Sequence, residues 1–355
     1  MPLIYSPRLS SGRCYGPDRS QLLFLVVRQK YSRNGHRIWD SNEEHALSGP
    51  LKSAGIARVF EYYCDTDSSG GIFNDHKFIQ LVARTRPDLL VLSGYDPNDP
   101  AAPSMKVLAT VRDKADTPIL AMWPDSTGAG SHRLSTRMAD IADLNVMWDS
   151  AEMADRFPEK NNYLRLWAPL DFSIFHPRNC PRDIPVSFVG SIGSFRSVRE
   201  EYLDYLSQQN VGLVVCGGRE NPLELKEYAD IASRSKIALN FSHSIGNTHQ
   251  LKHRVFETMF SATLLLENRN SETRQFFEPM VDYVDFESKE DMADKVRYFL
   301  EHDDERLAIA MNGYRKATEQ YNYRTFWDQI MHKLFDLGIF TSSRIPTCSQ
   351  EESSA

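Results

Sequence analysis

Three groups of residues have types and spacings that could do chemistry. Ser242 to Thr248 (SHSIGNT), a polar stretch with a glycine at Gly246, runs into a helix predicted to begin near Gln250, and Lys252 and Arg254 fall in or near its first turn. Main-chain N–H groups at a helix start with two cations beside them suit a phosphate. The bland alternative is a pair of solvated helix residues. VSFVG at 186–190 opens the loop GSIGS, which starts at Gly190 and is followed by Arg196 and Arg199. Both arginines lie just past a predicted strand C-terminus, where an open α/β sheet places its ligand-facing groups. The loop lacks the Lys-Ser/Thr of a P-loop, and either arginine could instead be a helix N-terminal surface residue paired with Glu200. Glu257 sits among Val255, Phe256, Met259 and Phe260. A carboxylate in such company needs a partner, and Arg254 three residues earlier would serve only weakly if exposed, at ~0.2–0.5 kcal/mol.

The elements that must position these groups follow from apolar runs. Predicted strands at 21–27, 57–63, 88–93, 118–123 and 144–148 alternate with helices at 43–54, 77–85, 104–114 and 134–141. Strands separated by helices read as βαβ units and hence a parallel sheet covered on both faces. The proline-punctuated stretch 168–185 is the linker candidate. The alternation restarts with strands at 186–190, 212–216, 237–241 and 263–267 and helices at 199–208, 223–233, 250–260, 271–277, 290–301 and 303–319. The expected architecture is two doubly wound α/β domains facing a cleft, residues 1–175 and 176–340, with a helix at 324–337 that could lie on either. Residues 341–355 carry too little apolar content to pack and are expected to be disordered.

Composition bounds the function. The 355 residues are 41% hydrophobic and 25% charged, which fits an ordinary globular chain of about two domains. A net charge of −7 gives no electrostatic excess favouring nucleic acid or an anionic membrane. The five cysteines have no C-x-x-C pairing, so reduced thiols in a cytoplasm are expected. The apolar run 22–27 is far short of the ~20 residues that span a bilayer, so no membrane insertion is expected.

The second half resembles the glycosyltransferases of the GT-B fold, in particular the group 1 branch that includes the CgeB-like spore-protein transferases. The residues carrying the resemblance are VSFVGS (186–191) with Arg196 and Arg199, EYADIASRSKIALNFS (227–242), HQLKHRVFETMFSATLLLEN (249–268), then FFEP, DYVDF and the run from Lys295 to Tyr323. In the first half it rests on RPDLLVLSG, Trp-Pro-Asp-Ser at 123–126, ADLNVMWDS and LWAPLDFSIFHPR.

The resemblance implies a metal-independent transferase without a cofactor. It would bind a nucleotide-diphosphate sugar in the C-terminal domain and pass the sugar to a hydroxyl-type acceptor, of small-molecule, glycan or protein nature. Glu257 would then accept hydrogen bonds from ribose hydroxyls, and the cations at 252 and 254 would stabilise the departing nucleoside diphosphate. Many retaining members carry a second Glu eight residues earlier, where this chain has His249, a residue able to bond a sugar hydroxyl or a phosphate or to cap the helix. This departure keeps open a non-catalytic binding protein, and the fold is also shared by nucleotide-sugar epimerases. An inverting mechanism needs a base, for which Asp125 is the candidate, with an Asx turn as its bland reading; His132, Asp40 and His36 are rivals. Asp65-Thr66-Asp67 imitates a metal-binding D-x-D but reads as a turn before Ser68-Ser69-Gly70-Gly71.

Overall fold

A computed structural model describes residues 4–7, 21–34, 37–40, 43–67, 72–93, 99–125, 137–138, 140–148, 150, 161–192, 197–218, 222–242 and 249–345, and the chain divides into two compact units. The first comprises Met1–Arg33, Ile38–Pro169 and Tyr323–Ala355, and the second Asn34–Arg37 and Leu170–Asn322. The two units divide after Pro169, near the linker expected at 168–185, and the chain returns to the first unit from Tyr323.

In chain order the strands are β1 (Ile4–Pro7), β2 (Leu22–Arg28), β3 (Tyr31–Asn34), β4 (Arg37–Asp40), β5 (Ala57–Tyr63), β6 (Leu89–Ser93), β7 (Ile119–Trp123), β8 (Leu144–Met147), β9 (Tyr163–Arg165), β10 (Ile184–Val189), β11 (Leu213–Cys216), β12 (Ser235–Asn240), β13 (Leu264–Asn268), β14 (Val284–Phe286) and β15 (Phe340–Ile345). The helices are α1 (Gly49–Ala54), α2 (Asp75–Thr85), α3 (Met105–Ala115), α4 (Ser197–Ser207), α5 (Leu225–Arg234), α6 (His253–Phe260), α7 (Lys289–Glu301), α8 (Asp303–Gln320) and α9 (Tyr323–Asp336).

The first unit holds a six-stranded parallel sheet in the order β5-β2-β6-β7-β8-β9. Its central strands are apolar throughout because both faces are covered. Leu25, Val27, Leu90 and Leu92 pack on one face with Phe78 and Val82 of α2 and Val107, Leu108 and Val111 of α3. Phe24, adjacent in sequence and therefore on the other face, meets Trp327 of α9 at 6.4 Å between ring centroids. Trp148 and Trp167 stack edge-on against Phe326 of the same helix, at 6.1 and 6.3 Å, so α9 belongs to the first unit's core.

Helix starts are fixed locally: Asn74 caps α2 by accepting from Lys77 N at 2.9 Å, and Ser104 caps α3 by accepting from Val107 N at 3.3 Å. The helix expected over 43–54 is a π-helical turn, Glu44–Ser48, continued by α1 and ended by Gly55 in the left-handed region. The tail expected from Thr341 begins instead in β15, whose antiparallel pairing with β1 supplies the backbone partners that its composition does not. Half of the predicted helix 134–141 lies outside the described residues.

The second unit has a five-stranded parallel sheet, β11-β10-β12-β13-β14. Its core joins Phe188, Leu239, Phe241, Leu266 and Phe286 to Leu203 and Leu206 of α4 and Val296 and Phe299 of α7. The helix expected at 271–277 shrinks to a 3-10 turn, Thr273–Gln275.

Arg182, just before β10, fastens this sheet to its loops. Nη1 donates to Ser235 O (2.7 Å) and Thr263 Oγ1 (2.6 Å), and Nη2 to Ser261 O (2.8 Å) and Ala262 O (2.9 Å). Arg182→Ala is expected to cost about 2–3 kcal/mol in urea unfolding, because bonds from a charged donor are lost together. A loss under ~0.5 kcal/mol would mean that water replaces the guanidinium at these acceptors.

Candidate functional site

Numbered within the second unit, its strands run 2-1-3-4-5. In that order the switch point, outside the strand C-termini where such sheets bind ligands, lies between β10 and β12. Gly190–Ser191 and Phe241–Ser242 border it. Arg199, 8% exposed, ties the two ends together: Nη1 donates to Ser191 O (3.1 Å) and Nη2 to Phe241 O (3.0 Å). Arg199, one of the two arginines that are candidates to face a phosphate, thus engages main-chain carbonyls with both terminal nitrogens. Ser242 N donates to Asn268 Oδ1 at 2.7 Å, which fixes the β12 end from the other side.

The loop after β11 closes on the same point. A Cβ at Gly218 would come within 2.9 Å of Ser191 Cα and one at Gly217 within 3.0 Å of Val189 Cγ1, and both glycines have left-handed φ, 91° and 80°. The Gly-Gly pair is therefore required by close approach as well as by backbone conformation.

Helix α6 begins at His253, three residues later than the sequence suggests. The reason is long-range: Gln250 N donates to Ser242 O at 3.1 Å and Gln250 O accepts from Asn270 Nδ2 at 3.1 Å, so the chain here is held out of the helix. Lys252 consequently occupies the N-cap position, with Val255 N donating to its carbonyl at 3.1 Å and its own Nζ donating to Gln250 Oε1. Burial pushes the half-buried His249 imidazole below its ordinary range, with Glu272 pulling the other way, so the ring is neutral at pH 7.

Arg254, in the first turn, has its guanidinium 5.1 Å from the Phe188 ring centroid and donates from Nη1 to Asn240 Oδ1 at 2.7 Å. Its Nη2 would lie 2.5 Å from a Cβ at position 190, so only glycine there lets it cross the β10 end. One turn on, Glu257 is buried and accepts from Tyr228 Oη of α5 at 2.8 Å. Burial, and then the Glu257 charge, hold that phenol far above its ordinary range and hence neutral. Phe175 meets the Tyr228 ring edge-on at 5.0 Å.

Behind Arg254 lies a polar cluster that sequence reasoning missed. Glu267, fully buried at the end of β13, accepts at Oε1 from Asn240 Nδ2 (2.7 Å) and Asn270 Nδ2 (3.1 Å). Burial pushes its carboxyl up to about 7, against the opposing pull of Thr273, Asn270, Asn240 and the Arg254 charge. A signal was present: the apolar strands SKIALN and LLLEN each close on polar residues at the C-terminal end.

In the first unit Asp125 is exposed, two residues past β7. Asp65 accepts from Lys30 N (2.8 Å) and Tyr31 N (3.0 Å), and Asp67 from Tyr63 N (2.8 Å), so both carboxylates are engaged in shaping a turn. Arg196, Gly246, His132 and His36 lie outside the described residues, as does the side chain of Asp40. Among the described residues no helix is long and apolar enough to cross a membrane.

A guanidinium laid across a glycine at a switch point, with an N-capping lysine before it and a buried carboxylate one turn on, can hold an anion next to a hydroxyl-bearing group. Residues 189–332, the segment containing all of these groups, match the family described as glycosyl transferase-like. No match to this sequence is found among curated proteins. Among solved structures the chain is similar to HepE of Anabaena in complex with UDP-glucose, at TM-score 0.65 and 12% identity over 89% of this chain and 100% of that one. It is similar also to AviGT4, a glycosyltransferase involved in avilamycin A biosynthesis (TM-score 0.60, 12%, 89% and 98%). A third similar structure is the sucrose-phosphate synthase of Thermosynechococcus elongatus (0.55, 10%, 90% and 98%). The chain has the GT-B fold, two parallel-sheet α/β domains.

Proposed function

We propose that this protein is a glycosyltransferase of the CgeB-like branch that uses a UDP-sugar, without a metal, and passes the sugar to a hydroxyl. The observation carrying this reading is the placement of Arg254 across Gly190, with Glu257 one turn further along α6. The guanidinium would take the donor's diphosphate, aided by Lys252. Glu257 would take the ribose hydroxyls, with Tyr228 Oη holding the carboxylate in place. As the glycosidic bond breaks, negative charge grows on the terminal phosphate, and a cation already in position stabilises that charge without reorganising. The choice of uridine is supported by the UDP-glucose and UDP held by HepE. Asp125 is assigned the acceptor's proton.

The test is calorimetric titration of the full chain with UDP, GDP, ADP, CMP and TDP, followed by assay of UDP release from UDP-glucose with and without EDTA. UDP is expected to bind most tightly, to stabilise against heat by ~2.7 kcal/mol at a concentration of 100 Kd, and to be released at a rate that EDTA does not change. Absence of binding by every nucleotide at millimolar concentration would refute the reading. Binding of UDP-glucose with no turnover would convert it to that of a binding protein.

A further inference from the structure

Arg254 does not hold itself in place. Its Nη1 donates to Asn240 Oδ1, and the same amide's Nδ2 donates to Glu267 Oε1, both at 2.7 Å. Asn240 and Glu267 are fully buried, and they stand side by side in register on neighbouring strands. A carboxylate oxygen accepts and an amide NH2 donates, so Glu267 fixes which way the Asn240 amide faces. With its NH2 committed to Glu267, the amide must present oxygen to the guanidinium. Without that acceptor the amide is free to turn, and an NH2 facing Arg254 would repel it. Glu267 also holds Asn270, whose Nδ2 reaches Gln250 O in the extended stretch leading to α6. One buried carboxylate therefore governs both the side chain of Arg254 and the entry to its helix.

We propose that Glu267, acting through Asn240, is a positioning residue that sets Arg254 for the diphosphate of the donor. This rests on the donor reading above. If Asn240 and Glu267 merely stabilised the fold, their loss would weaken recognition of every part of a nucleotide alike. If they act through Arg254, the loss falls on the diphosphate and spares the nucleoside.

The experiment measures UDP and uridine affinities of the full chain by titration, in wild type and in the Asn240→Ala, Glu267→Leu and Glu267→Gln variants, with thermal unfolding to establish that each is folded. Asn240→Ala and Glu267→Leu are expected to raise the UDP Kd about 10-fold and the uridine Kd less than ~2-fold. Glu267→Gln keeps an acceptor for Asn240, so it recovers most of what Glu267→Leu loses. Should either truncation fail to fold, the other two variants still carry the comparison. Equal losses for UDP and uridine, unchanged UDP binding, or a Gln variant no better than Leu would each overturn the proposal while leaving the donor reading intact. A wild-type protein that binds no nucleoside diphosphate would overturn the donor reading and this one with it.

Discussion

Arg254→Ala is expected to lower the rate of UDP release from saturating UDP-glucose by about 10²–10³-fold, the cost typical of removing one preorganised donor from a site of developing charge. The guanidinium stands at the C-terminal switch point of a parallel sheet, packed over Phe188 and bonded to Asn240. It is held in place by the protein's own groups, so in the proposed reaction little reorganisation would be needed as charge appears on a leaving phosphate. Arg254→Lys is expected to recover only part of the rate. An ammonium group restores the charge but lacks the planar fork that bonds Asn240 on one side and, in the proposed role, would bond a phosphate on the other. The UDP Kd of both variants separates binding from chemistry: a rise in Kd with no further loss at saturation would assign Arg254 to ground-state binding alone. A rate within threefold of wild type would remove Arg254 from the mechanism.

How far the sequence discloses this site depends on the range of the interactions involved. In the first unit the strands Ala57–Tyr63, Leu89–Ser93 and Ile119–Trp123, and in the second Leu213–Cys216 and Leu264–Asn268, lie where the sequence pattern puts them, to within a residue. The start of α6 does not, because the hydrogen bond from Gln250 N to Ser242 O joins segments whose pairing no local propensity reports. β9 and β14, three residues each, are too short for a period to register. The placement of α9 is likewise a tertiary fact. Phe326 and Trp327 announce a buried face, but that it meets Trp148, Trp167 and Phe24 depends on packing. At the site itself, charged residues near loops attract notice, whereas Asn240 and Glu267 stand at strand ends, where only the polar close of an apolar run hints at them. Arg199 is the converse case, conspicuous in sequence and engaged by two carbonyls in the fold.

Glu267→Gln is expected to stabilise the protein at pH 8 by roughly 3 kcal/mol and to leave its stability at pH 4 nearly unchanged. The glutamate carboxyl is pushed from 4.5 up to about 7, chiefly because burial penalises the charged form. Between those values the folded chain retains a proton that the unfolded chain has released, so folding stability falls as pH rises from 4.5 through 7 and stays low above it. A glutamine never ionises and escapes that loss. By pH 4 folded and unfolded wild type are both largely protonated at this position and the two proteins converge.

Glu61 shows that the sign depends on partners as well as on burial. Burial raises that carboxyl too, but Lys52 at 2.6 Å and Arg28 at 2.8 Å outweigh it and hold the group down to about 2. Glu267 has amides, a hydroxyl and a more distant guanidinium where Glu61 has two cations in contact. Urea unfolding of wild type and Glu267→Gln at pH 4 and pH 8 isolates the effect, since every other titrating group is common to both proteins. A glutamine variant that is equally or less stable at pH 8 would mean that Asn240, Asn270, Thr273 and Arg254 together solvate the ionised carboxylate as well as water does. The stabilising outcome would instead identify Glu267 as a charge carried at a cost to folding.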